Sequence, residues 1–142
     1  MDLGQALEFV RQRREAVLAT IKPDGRPQLS NIFYVLGDEG VATISVTDSR
    51  AKTVNLRRDP RASLHVAGDD FFHYVVLEGE VTLSPVAADP NDETVDQLVA
   101  YYRAGMGEEH PNWDEFRAAM VNDGRLVLHF HPSRAYGIAG ER

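Results

Sequence analysis

Positive charge gathers in one stretch of this chain. Arg50, Lys52, Arg57, Arg58 and Arg61 fall within residues 50–61 with Asp59 as the one acid, although the formal net charge of the whole is −7. The stretch fits a short helix, capped by Asp48 or Ser49 and stopped by Asp59-Pro60. A helix start attracts anions through its unpaired N–H groups, and Arg50, Lys52 and Thr53 would add side-chain donors there. The chemistry implied is a phosphate or carboxylate cradle. The plainer alternative is a solvated surface helix whose charges confer solubility.

A second group is neutral. Gln28, Ser30 and Asn31 place donors and acceptors at the start of a segment that continues as Ile32-Phe33-Tyr34-Val35-Leu36. Polar groups in a half-buried strand must find partners, and a ring with alternating carbonyl and N–H edges would supply them; capping of the preceding turn is the alternative. Phe72 and Tyr74, flanking His73, would share one strand face and could cover a flat ring, or pack as ordinary sheet residues. His129 and His131 share a face too, but no third metal ligand accompanies them, and strand-edge histidines are expected. His65, in an apolar segment, reads as a buried histidine, and Glu78 and Glu80 as exposed carboxylates. G-x-G-x-x-G, P-loop and G-x-S-x-G motifs are absent, and no nucleophile–base pair is evident. Redox or transfer chemistry would therefore rest on a cofactor that the protein binds and orients.

The elements that must position these residues follow from periodicity. Leu3, Ala6, Leu7 and Val10 predict a helix over 3–13 after an Asp2 cap. Residues 16–21 form an apolar strand, Lys22-Pro23-Asp24-Gly25-Arg26 a turn, and 27–36 a second strand completing a hairpin. Strands follow at 41–47, 62–67 and 72–83, the last with Gly79 marking a bulge or a close backbone approach. Helices are expected at 92–104 and 112–122, and a sixth strand at 126–130. Strands joined mostly by tight turns, with helices inserted rather than alternating, predict an α+β protein with a six-stranded antiparallel β-barrel and peripheral helices.

The 142 residues make one domain by length, spanning 1–142, and can bury a core without staples. There is no cysteine, which excludes disulfides, thiolate metal sites and a cysteine nucleophile. No apolar run approaches a membrane span and the first residues carry no secretory pattern, so a cytoplasmic protein is expected. The negative charge argues against nucleic acid as a partner. Residues 69–123 hold thirteen acids against Arg103 and Arg117, which sets the basic stretch apart further.

The ordered set of segments resembles a known family. Ala19-Thr20-Ile21-Lys22 with Asp24 to Asn31, then Arg50-Ala51-Lys52-Thr53 and Asn55 to Ser63, Glu78-Gly79, Trp113-Asp114 and Tyr136-Gly137, together resemble the pyridoxamine 5′-phosphate oxidase-like superfamily. Within it, they are similar to the actinobacterial flavin/deazaflavin oxidoreductases that use coenzyme F420. The resemblance covers nearly the whole chain. It implies a split β-barrel homodimer with cofactor sites at the interface, and hydride transfer from reduced F420 to a small electron-poor acceptor. By the family pattern Arg50, Lys52 and Thr53 would hold the cofactor phosphate, and Gln28, Ser30 and Asn31 would lie near the ring. Phe72 and Tyr74 would approach from the other subunit. Arg57 and Arg58 would meet the acidic tail of F420 or pair with acids across the interface. The ending Pro132 to Arg142 lacks the Arg- and Trp-bearing C-terminus of true pyridoxamine phosphate oxidases, so an FMN-dependent oxidase is the second reading and a non-catalytic carrier the third.

Overall fold

A computed structural model describes residues 1–139. The helices are α1 (Leu3–Arg11), α2 (Ala51–Arg58), α3 (Glu93–Met106) and α4 (Trp113–Asn122). The strands are β1 (Glu15–Ile21), β2 (Pro27–Phe33), β3 (Val35–Leu36), β4 (Ala42–Thr47), β5 (Arg61–Ala67), β6 (Tyr74–Leu83) and β7 (Arg125–Ile138). All strand pairs are antiparallel, in the order β2-β1-β5-β6-β7-β4-β3, and the sheet curls until β2 touches β4. This is the split β-barrel of the α+β class. Its core is filled by Leu18, Tyr34, Ile44, Leu64, Leu77 and Phe130, all fully buried or nearly so.

Seven strands appear where six were expected, because Tyr34 breaks the second strand. Its ring is fully buried and its hydroxyl donates to Val10 O at 2.6 Å, turning the chain from β1 toward β4. The last strand is also longer than the expected 126–130. Pro132 cannot donate a backbone hydrogen bond, yet it sits opposite Gly79 where the β6–β7 register shifts. Gly79 allows that approach: a Cβ there would lie 2.1 Å from His131 O.

The first helix starts at its expected cap, Asp2, and α3 starts at Asp92, a cap not foreseen in the sequence. Asp2 accepts from Gly4 N–H at 2.7 Å and Asp92 from Val95 N–H at 2.9 Å, each satisfying an amide that the helix cannot. The start of α2 differs from expectation. Arg50, not Asp48 or Ser49, occupies the cap position, and no side chain caps the helix. The Asp48 carboxylate is instead engaged by Arg57 at 2.6 Å.

The segment before β6 also departs from the sequence reading. Phe72 and Tyr74 do not share a strand face, since Phe72 lies in a turn and β6 begins at Tyr74. Asp70 holds that turn by accepting from the N–H groups of Phe72 and His73 at 2.8 and 3.0 Å, which keeps them out of the sheet ladder. His65 is exposed rather than buried, on the outer face of β5, stacked on Tyr74 with ring centroids 5.4 Å apart. No helix among the described residues is long and apolar enough to cross a membrane.

Candidate functional site

The eight-residue helix α2 has little apolar character, and polar anchors hold it on the barrel. Thr53 donates to Thr47 O at 2.8 Å, Asn55 Nδ2 donates to Thr20 Oγ1 at 3.1 Å, and Arg58 donates to Ile21 O. Thr53, Asn55 and Leu56 are buried by this docking. The uncapped start of the helix is thereby fixed beside the end of β4.

A cleft of about 440 Å³ opens at that point. Arg50 and Lys52 line it from the start of α2, Ser45 and Thr47 from β4, and Arg125 from the first position of β7. Opposite them stands an apolar wall that includes Phe33 of β2, Tyr101 and Tyr102 of α3, and Phe116 and Met120 of α4. Asn31 lines the cleft from β2. Among the described residues no carboxylate lines it, so their field inside is positive although the chain is acidic. Burial, then the neighbouring charges of Arg50 and Arg125, hold the Lys52 ammonium below its ordinary value.

The apolar wall is a packed unit. Tyr102 meets Trp113 and Phe116 edge-on, with centroids 5.6 and 5.4 Å apart. Behind it, Ala87, Val95 and Val99 form a second small core with Trp113, Phe116 and Met120. Tyr101 ties α3 to the β2 edge by donating to Phe33 O at 3.0 Å, and burial raises its pKa.

Of the residues expected at a cofactor site, the structure brings Arg50, Lys52 and Asn31 to this cleft. Thr53 is fully buried with its hydroxyl committed to Thr47, so it fixes the helix. Gln28 and Ser30 alternate with Asn31 along β2, which places them on its other, half-buried face. Phe72 is 65% exposed and Tyr74 leans on His65; neither lines this cleft. Arg57 pairs with Asp48. The residues that sequence reasoning missed are Arg125 and the wall. The spacing of Trp113, Phe116 and Met120 signals an apolar helix face but not what it faces. Arg125 announces itself only as a base after the Asn122-Asp123-Gly124 turn.

A larger recess of about 630 Å³ lies against β1, β5, β6 and β7. There Arg61 and Arg134 are balanced by Glu78 and Glu80, and no aromatic side chain other than His131 contributes. Its mixed charge makes it the poorer anion site. His129 meets Thr43 Oγ1 at 3.4 Å and Gln97 Oε1 at 3.2 Å, while His131 meets Thr82 Oγ1 at 2.9 Å. Among the described residues no three His, Asp or Glu side chains gather as a metal site would need.

The sequence profile described as pyridoxamine 5′-phosphate oxidase matches residues 3–139. The chain belongs to that family. Among solved structures it is similar to a conserved hypothetical protein from Mycobacterium tuberculosis, at 27% identity and a TM-score of 0.72, covering 95% of this chain and 82% of that one. A protein named F420 reductase aligns at 21% identity with a TM-score of 0.62, over 91% of this chain and 94% of its own. A pyridoxamine 5′-phosphate oxidase-related, FMN-binding protein from Nostoc punctiforme PCC 73102 aligns at 17% identity with a TM-score of 0.58, covering 94% and 80% respectively. At 21% and 17%, these last two likenesses concern the fold alone.

Proposed function

We propose that this protein is an oxidoreductase that binds reduced coenzyme F420 in the cleft between α2 and the α3–α4 wall and passes a hydride to a small electron-poor acceptor. The observation that carries this reading is the pairing, in one cleft, of a cationic end without carboxylates among the described residues and an aromatic end. That combination fits a flat ring joined to a phosphate, because the ring gains from burial against aromatic faces and the phosphate from the cations. A solvated surface helix, the plainer alternative, would not be anchored by three polar contacts with its basic start turned into a cleft.

Arg50 and Lys52 would hold the phosphate at the uncapped start of α2. Asn31 offers both a donor and an acceptor to the ring edge. Tyr102, Phe116 and Met120, with Phe33 once a second copy covers it, would shield the reacting face from water. When bound, the deazaflavin supplies a two-electron hydride, so the chain need provide no metal or covalent residue. Gln28, Ser30, Phe72 and Tyr74 lie outside this cleft in one protomer, and we assign Phe72 and Tyr74 to the site of a second copy in a homodimer. The exposed apolar residues of the outer sheet face, Leu29, Phe33 and Tyr136 at 63%, 65% and 51% exposure, support such a partner.

FMN is the second reading, favoured by the family match and by the FMN-binding relative. The deciding experiment titrates the protein with F420 and with FMN, following intrinsic fluorescence; Trp113 packs on the wall residues Tyr102 and Phe116 and reports binding directly. Tighter binding of F420, followed by acceptor-dependent oxidation of its reduced form, is the expected result. Tighter binding of FMN makes this an FMN protein. Binding of F420 without turnover of any acceptor makes it a carrier.

A further inference from the structure

Arg125 reaches the cleft from a different part of the fold than Arg50 and Lys52. It is the first residue of β7 and pairs in register with Thr47, at the end of the strand that leads into α2. Its Nη1 stands 3.5 Å from Ser45 Oγ, at the limit of a hydrogen bond. Its Nε is closed off from solvent and has no hydrogen-bond partner among the described residues. None of the ion pairs among those residues includes it. The side chain is half-buried; an Nε that loses water without gaining a partner is unfavourable, and so is a guanidinium beside two other cations, unless an anion completes the set.

We propose that Arg125 is a third phosphate-binding residue, closing from β7 the anion site that Arg50 and Lys52 open from α2, and that it makes the chain select phosphate-bearing cofactors over their phosphate-free counterparts. The inference rests on the cofactor reading above and adds to it a residue and a specificity. The planar guanidinium fork can donate to two oxygens of one phosphate, where the Lys52 ammonium acts as a point charge. A neutral ribityl hydroxyl cannot compensate three cations, so a riboflavin-like ligand would leave Arg125 as it stands in the free protein.

The test measures dissociation constants of wild type, Arg125→Gln and Arg125→Lys for two ligand pairs: FMN with riboflavin, and F420 with the phosphate-free deazariboflavin. Arg125→Gln is expected to weaken the phosphate-bearing member by about tenfold or more while changing the phosphate-free member by less than about twofold. Arg125→Lys, which keeps the charge without the fork, is expected to fall between. Equal losses for both members, or none, overturn the proposal, because a merely structural arginine would not distinguish them. If Arg125→Gln does not fold, the same ratio is read from Arg125→Lys. If wild type binds neither cofactor, the functional reading fails, and inorganic pyrophosphate becomes the probe. Thermal stabilisation of wild type that Arg125→Gln abolishes then upholds Arg125 as an anion-binding residue, whereas no stabilisation of wild type overturns that as well.

Discussion

Lys52 and Thr53 are neighbours in sequence but lie in different environments, which makes them a sharp pair to separate. Lys52 lines the cleft, so Lys52→Ala is expected to weaken a phosphate-bearing cofactor by about 1.5–3 kcal/mol through loss of a charge-assisted bond, with little change in melting temperature. Thr53→Val, which removes only the hydroxyl that donates to Thr47 O, is expected to cost about 1 kcal/mol of stability and to leave cofactor affinity unchanged. Titration and urea unfolding of both variants check the pair. His129 carries a pH dependence of definite sign. Burial, then the nearby His131 charge, holds it below its ordinary value of 6.5, so the unfolded chain takes up that proton first. Stability attributable to His129 is therefore present above 6.5 and is lost as pH falls through the lower folded value. His129→Gln is expected to flatten this acid limb, checked by urea midpoints at about pH 5 and about pH 8. Residue types alone could nominate Arg50 and Lys52 because charge is visible in a sequence. They could not exclude Thr53, whose role depends on which way one helical position turns.

Among the elements, the β6–β7 pair is the longest ladder, and it depends on one glycine. Gly79→Ala is expected to destabilise the protein by about 1–3 kcal/mol, since the new methyl meets His131 O and the two strands must part. Guanidinium unfolding of the variant, with an unchanged slope, checks that the loss is local strain. The same pair shows why one boundary was legible and another was not. Alternation and the flanking turns located β1 and β4 to within about a residue or two, the usual uncertainty of element ends. The extension of β7 past Pro132 was hidden, because a proline inside a strand is tolerated only where the neighbouring strand makes a bulge. The α2 start shows the converse: Asp48 is a good cap by type, but Arg57, about two turns into the helix, takes its carboxylate in an ion pair at 2.6 Å.

For the whole molecule, the exposed outer face of β2 carries the prediction. If two copies meet there, Leu29→Glu is expected to shift the sedimenting species from twice the 15.8 kDa chain mass to the single chain, and to weaken cofactor binding with it. Leu29 is 63% exposed and does not line the cleft, so loss of both properties together would show that the site is completed by a second copy. A wild-type protein that sediments as a single chain would remove Phe72 and Tyr74 from the site.

The sequence by itself determined the class of fold, the basic helix and the polar start of β2, since hydrophobic period, turn chemistry and local charge are short-range properties. It also located the helices whose apolar faces became the aromatic wall. Only the tertiary structure decided that this wall stands opposite Arg50 and Lys52. It alone put Asn31 in the cleft while turning Gln28 and Ser30 away, and carried Arg125 across from the far end of the chain. The physical reason is that curling one antiparallel sheet brings β2 to β4 and sets β7 beside β4, joining residues far apart in sequence through pairings that no local pattern encodes.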